Sequence, residues 1–295
     1  MKRALNVIGS LCVLGVLFWW ADAQAVIAQL RGVCTGWIAA AVAALTGVTA
    51  LMAKRWQMLA RSFDIEIDYR RALGEYYLSQ MVNLVLPGGV AGDVTRAVRL
   101  RQNTTLARAA QSVMADRILG QGVMFVLLGG ALTVALLWPG GVDWPKAAWA
   151  GIGFGALAVV ILGFVARGDH GTGRFLHEVG RLFGQMRLCI LSLVIAGFLI
   201  FSFYACARAA GTDIPPAGWL TVIPLVLSAM LIPLSVGGWG WREGAAAALF
   251  PLIGAPVAAG IATGIVYGAA MMLAALPGLY FAWRVAPVPS PAHQH

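Results

Sequence analysis

The chain has 295 residues, 60% hydrophobic and only 11% charged, with a mean hydropathy of +0.81. Soluble domains sit at about 45–50% apolar and about 25% charged, so this balance excludes a soluble globular protein and demands an integral membrane protein, all-α and polytopic. The net charge of +9 at pH 7 points to anionic lipid rather than nucleic acid as the partner, because the basic residues fall in loops between apolar runs.

In chain order, Lys2 and Arg3 precede an apolar stretch over 4–20, read as a retained first span rather than a cleaved signal because it is long for a signal core and ends in Trp19-Trp20. Full crossings are predicted at 33–53, 112–137, 147–166, 188–207 and 257–283, giving about six transmembrane helices at roughly 20 residues each. Two further segments are interrupted. These are about 72–95 and 217–254: the part 72–86 is short and polar, with Glu75, Gln80 and Asn83, while 217–232 is apolar and stops at Pro233 without a charged loop. Both are read as re-entrant hairpins. Residues 1–285 then form one membrane domain, and 286–295 a disordered, proline-rich cytoplasmic tail.

The two interrupted segments share a pattern. LVLPGGVAGDVTRAV holds Pro87, Gly88, Gly89, Gly92 and Arg96; MLIPLSVGGWGWREGA holds Pro233, Gly237, Gly238, Gly240 and Arg242. Each arginine lies nine residues after its proline. Paired Gly/Pro-interrupted apolar segments in two halves of a chain mark a transporter's binding site. With the N-terminus in the cytoplasm, sixteen Lys and Arg fall inside and three outside, leaving Arg117 and Arg242 at membrane depth. The hairpins then enter from opposite sides, as in an inverted repeat.

Where a helix restarts after such a break, its first N–H groups face an anion, and an arginine adds a bidentate fork for phosphate. Arg96 and Arg242 are therefore expected to clamp one lipid phosphate from opposite sides, with Asn83 bonding the same headgroup and Gly88, Gly89, Gly237 and Gly238 permitting backbone approach. The simpler reading is that Pro87 and Pro233 are kinks and Arg96 a cytoplasmic anchor. A charge such as Arg242 within an apolar segment costs about 2.5–3.5 kcal/mol on insertion scales, and Glu243 can neutralise it. Asp116 and Arg117 form a further charged couple, either a structural ion pair or a coupling or gating site together with Asp93 and Glu243. Gly260, Gly264 and Gly268 are read as an intramolecular packing stripe rather than a dimer seam; the oligomeric state, monomer or dimer, stays open. Cys12, Cys34, Cys189 and Cys206 read as apolar filler. No catalytic residue, metal site, cofactor or nucleotide-binding loop is expected, and the chain is not read as an enzyme.

The segments RWQMLARSF, YYLSQMVNLVLPGGVAGDVTRAVRL, SVMADRILG and LIPLSVGGWGWREGAAAALFPLIG resemble the lysylphosphatidylglycerol synthase transmembrane region, a flippase-like integral membrane family, over about residues 30–283. The resemblance implies movement of a modified or carrier lipid between leaflets. Relatives fused to an aminoacyltransferase domain also make the lipid they flip; these 295 residues carry no such domain, so synthesis of lysyl lipid by this chain alone is not expected. Free-standing relatives occur beside glycolipid and hopanoid pathways. The function expected is transport of an anionic or phosphate-bearing lipid, whether phospholipid, polyprenyl-phosphate or glycolipid, across a bacterial inner membrane. The alternatives are a membrane enzyme or subunit of polyprenyl-lipid, glycolipid or hopanoid biosynthesis, and an ion-coupled transporter of a small anion.

Overall fold

A computed structural model describes residues 23–86, 90–101, 104–137, 171–230 and 237–284. The described residues are helical, with no strand among them. The helices are α1 (Ala23–Arg31), α2 (Thr35–Arg61), α3 (Tyr69–Val85), α4 (Ala91–Leu100), α5 (Leu106–Leu137), α6 (Gly171–Phe183), α7 (Met186–Ala209), α8 (Pro216–Trp219), α9 (Val222–Ala229), α10 (Trp241–Leu249), α11 (Val257–Ala275) and α12 (Pro277–Arg284); a 3₁₀ turn over Phe250–Ile253 precedes α11.

Among the described residues, four helices are long and apolar enough to cross a membrane: Thr35–Arg61, Leu106–Val134, Met186–Ala209 and Val257–Trp283. They coincide with four of the six expected crossings. The expected spans at 4–20 and 147–166 and the tail lie outside the described residues, as do Pro87, Gly88, Gly89 and Pro233. Two of the helices run further than hydropathy suggested: α2 continues from the expected end at 53 to Arg61, and α5 starts at Leu106 instead of 112. The added turns carry Lys54, Arg55, Gln57, Arg61, Arg108 and Gln111, and the buried Arg55 and Gln57 are paired within the protein, so helix continues beyond the apolar run.

The central pair is α2 and α7, packed along their length and antiparallel. The Cys34 amide donates to the Ala209 carbonyl at 3.0 Å, the Gly47 site faces the Phe198 ring, and the Arg55 Nη1 donates to Ser192 Oγ at 3.2 Å. Two apolar clusters sit at opposite ends of this pair. One joins α1, the start of α2, the end of α7, α9, α10 and α11 around Phe203, Phe250 and Tyr267. The other joins the end of α2, α3, α4, the start of α5 and α6 around Trp56, Leu59 and Leu119.

Each cluster contains one interrupted segment. In the first, Asp68 caps α3 by accepting the Arg70 amide at 2.9 Å. The chain then turns back into α4, which crosses α3 so closely that a Cβ on Gly92 would run into the Ser79 carbonyl oxygen. Asn83 Oδ1 accepts the Gly92 amide at 2.8 Å and closes this hairpin. Glu75 pairs with Arg99 and Gln80 accepts from Thr49 at 2.9 Å, so the polar residues that set 72–86 apart from a span each have a partner inside the protein. The opposite face of α3 carries Tyr77, stacked on Phe281 of α12 with centroids 5.7 Å apart.

In the second, α9 and α10 are joined through Gly237, Gly238 and Gly240, whose φ values of 57°, 83° and 88° lie in the left-handed region. Gly237 also lies against the first hairpin, where an added Cβ would sit 3.3 Å from the Leu84 carbonyl oxygen. The two interrupted segments therefore touch.

Candidate functional site

The end of α2 delivers Arg55 and Trp56, α3 delivers Tyr76 and Ser79, α4 delivers Asp93 and Arg96, and α5 delivers Asp116 and Arg117 to one buried charge network. Asp116, 2% exposed, is its hub. One carboxylate oxygen accepts from Arg55 Nε at 2.9 Å, and its backbone oxygen accepts from Arg55 Nη2 at 3.2 Å. The other carboxylate oxygen accepts from the Tyr76 hydroxyl and stands 3.6 Å from Arg96 Nη2. Gly120 makes room for this: a Cβ there would lie 2.8 Å from Arg55 Nη2.

Asp93 forms the outer layer. It accepts from Arg117 Nη1 at 2.5 Å, from Arg96 Nη2 at 3.4 Å and from Ser79 Oγ at 3.5 Å. Asp116 and Arg117 thus do not pair with each other, as their adjacency suggested. Neighbours i and i+1 on a helix point about 100° apart, and each finds its partner on another helix. Asp116 pairs with Arg55 of α2 and Arg117 with Asp93 of α4.

Arg96 lies at the centre. Its guanidinium is sandwiched between the Trp56 and Tyr76 rings, 4.5 and 4.3 Å from their centroids, and its side chain is 2% exposed. Among the described residues, its Nε and Nη1, together with the adjacent Trp56 Nε1, are buried without a hydrogen-bond acceptor. All three are donors. Three guanidiniums in this network, Arg55, Arg96 and Arg117, face two carboxylates, Asp93 and Asp116; the neighbouring Glu75–Arg99 pair is neutral as a unit. Among the described residues the network carries one surplus positive charge and three orphaned donors. That is the complement of an anion with several acceptor oxygens.

Arg242 is differently placed. It is fully buried, and its Nε and Nη2 both bond Glu243 Oε1, at 3.0 and 2.5 Å. Trp239 and Tyr267 flank its guanidinium at 4.9 and 5.6 Å. The other Glu243 oxygen accepts the Gly240 amide at 2.6 Å, capping α10 at its positive end. Here the charges balance, and the glycine stripe of α11 seals the pair. A Cβ on Gly260 would meet the Ala246 carbonyl at 2.5 Å, one on Gly264 the Glu243 side chain at 3.0 Å, and one on Gly268 the Trp239 ring at 2.7 Å. The stripe is intramolecular packing against α10, as expected.

The two arginines occupy different ends of the bundle. Arg55 of the first network reaches Ser192, whereas Tyr267 beside Arg242 packs on Phe203, a separation of about 16 Å along α7 at ~1.5 Å per residue. The Arg242 fork is already engaged, with Nε and Nη2 on Glu243 Oε1 and Nη1 beside the Met271 sulfur, so in this conformation it offers a shared phosphate no free bidentate face.

Sequence reasoning assembled Asn83, Gly92, Arg96, Gly237, Gly238, Gly240 and Arg242 in one headgroup pocket and set Asp93, Asp116, Arg117 and Glu243 apart as a coupling or gating group; the structure instead gathers Asn83, Gly92, Asp93, Arg96, Asp116 and Arg117 in one region, and Gly237, Gly238, Gly240, Arg242 and Glu243 in another. It missed Arg55, Trp56, Tyr76 and Trp239. Arg55 was counted as a loop charge; the signal available was its place beside Trp56 within helical reach of an apolar run. Among the described residues, no group of three or more His, Cys, Asp or Glu is arranged to hold a metal ion, and Cys34, Cys189 and Cys206 are free.

Fold and site together define a polytopic α-helical membrane protein with a buried charge cluster at each of two chain interruptions. The chain belongs to the lysylphosphatidylglycerol synthase TM region family, whose profile matches residues 6–278, nearly its whole length, and it is thereby a membrane protein related to lipid handling. No significant match was found among curated proteins or among solved structures.

Proposed function

We propose that this protein moves an anionic or phosphate-bearing lipid between leaflets of a bacterial inner membrane, with both termini cytoplasmic and the α3–α4 and α9–α10 segments acting as oppositely entering re-entrant hairpins. The observation that carries the reading is the orphaned set of donors on Arg96 and Trp56, buried beside a network with one surplus positive charge. Orphaned buried donors cost about 1–3 kcal/mol each, and a headgroup phosphate supplies the missing acceptors while its acyl or prenyl chains stay in the bilayer. Arg96 is then the headgroup residue. Arg242, already neutralised by Glu243, ties α10 to α11 and holds the second hairpin in place.

The matched family supports lipid as the cargo over a small soluble anion. It also leaves room for a role beside a lipid-modifying enzyme, but no such chemistry is assigned to this chain. Native mass spectrometry of the protein released from membranes tests the reading: wild type retains an anionic lipid that Arg96→Ala loses. Equal retention by both, or no lipid on either, removes Arg96 from the headgroup site.

A further inference from the structure

We infer that Asp93 is a built-in stand-in for the ligand's anion, occupying the Arg96–Arg117 pair when the site is empty and giving way when a headgroup enters. The inference rests on the reading of Arg96 as an anion site and specifies how that site is regulated. The two carboxylates of the network are held unequally. Asp116 is 2% exposed and receives Arg55 through both side chain and backbone as well as Tyr76, so it is fixed among three helices. Asp93 is 21% exposed, and its contacts with Arg96 and Ser79, at 3.4 and 3.5 Å, lie at the outer limit of hydrogen bonding. Among the described residues only Arg117 holds it closely, and that arginine is 35% exposed.

Asp93 therefore touches Arg96 through Nη2 alone and, among the described residues, Nε and Nη1 have no acceptor. A monodentate carboxylate on a guanidinium with two idle donors is a weak occupant, readily exchanged for a group that engages the whole fork. The exchange needs no helix movement. Asp93 and Arg96 share α4, which Gly92 seats against Ser79 and ties to Asn83. A change of the Asp93 side-chain rotamer therefore withdraws the carboxylate from Arg96 without breaking the Asp116 hub. The charges facing the site are Arg55 from α2, Arg96 from α4 itself, Asp116 and Arg117 from α5, and the closed Glu75–Arg99 pair between α3 and α4.

The test is a titration of the full-length protein in neutral detergent micelles with phosphatidylglycerol and, separately, with inorganic phosphate, read by native mass spectrometry and by the ligand-induced rise in thermal midpoint. Asp93→Asn should bind more tightly by about tenfold, the worth of one charged hydrogen bond. Ser79→Ala changes no charge and loosens only Asp93; it should tighten binding by about two- to threefold. Glu75→Gln removes a nearby carboxylate that does not touch Arg96 and should leave binding within about twofold, since only screened, longer-range charge is altered. If Asp93→Asn fails to fold, Ser79→Ala decides.

A gain with either probe in Asp93→Asn or Ser79→Ala, absent in Glu75→Gln, is the expected result. No gain with either probe, or an equal gain in Glu75→Gln, overturns the stand-in. Arg96→Gln separates this from failure of the underlying site. Lost binding in Arg96→Gln without a gain in Asp93→Asn removes only the stand-in, whereas unchanged binding in Arg96→Gln removes the anion site itself.

Discussion

At the scale of single residues, two buried arginines with similar sequence surroundings have opposite electrostatic standing. Arg242 is matched one-to-one by Glu243, and the same carboxylate caps α10 through Gly240. Removing one member of a buried pair typically costs about 3–5 kcal/mol because the other is stranded. Glu243→Gln should therefore lower folded yield and thermal midpoint sharply, as followed by size-exclusion chromatography of the solubilised protein. A wild-type midpoint would show that Arg242 does not depend on its partner. The same logic divides the two carboxylates of the first network. Asp116→Asn strands Arg55, which is 3% exposed at its side chain, and should destabilise strongly. Asp93→Asn, at a site 21% exposed with Arg117 partly in contact with its surroundings, should fold near normally. Equal loss in both variants would contradict the inner and outer layers assigned to them.

At the scale of elements, glycine placement decides which helices can approach. Gly260, Gly264 and Gly268 form a flat track on α11 against which the α10 backbone, Glu243 and Trp239 lie. Gly260→Ala forces a methyl group into the Ala246 carbonyl and should cost about 1–3 kcal/mol as overpacking. Gly130→Ala on α5, with open space around the site, should be neutral or slightly stabilising. Thermal unfolding of the two variants side by side checks this, and equal midpoints would refute the track. The long apolar helices were legible in the sequence because about 20 consecutive apolar residues form a local signal. The interrupted segments were legible from Pro and Gly. Their partners were not: Arg55 lies just beyond the apolar window of α2, and only packing against α5 and α7 turns it inward to Asp116 and Ser192. Asp116 and Arg117 misled for the related reason that adjacency in sequence is divergence on a helix.

At the scale of the whole molecule, the antiparallel α2–α7 pair carries one charge cluster towards each end, so the interrupted segments serve opposite halves of the bundle. The distribution of Lys and Arg predicts that the α6 end faces the cytoplasm and the loop after α7 the other side. In a background lacking Cys12, Cys34, Cys189 and Cys206, a cysteine at position 213 should react with an impermeant maleimide added outside and one at 174 should be protected. Both residues are exposed, so access reports sidedness. The reverse pattern would invert the topology.

Arg96→Lys keeps the charge but loses the planar fork that a phosphate engages and the flat face that stacks between Trp56 and Tyr76. The most direct test is the rate at which a headgroup-labelled phosphatidylglycerol crosses between leaflets of vesicles containing the purified protein, read by quenching from outside. Wild type should equilibrate the label, Arg96→Lys should be slowed by about tenfold or more, and Arg174→Ala, an exposed control, should match wild type. An Arg96→Lys protein that folds normally and moves the lipid at the wild-type rate would contradict the assignment of Arg96 as the headgroup site.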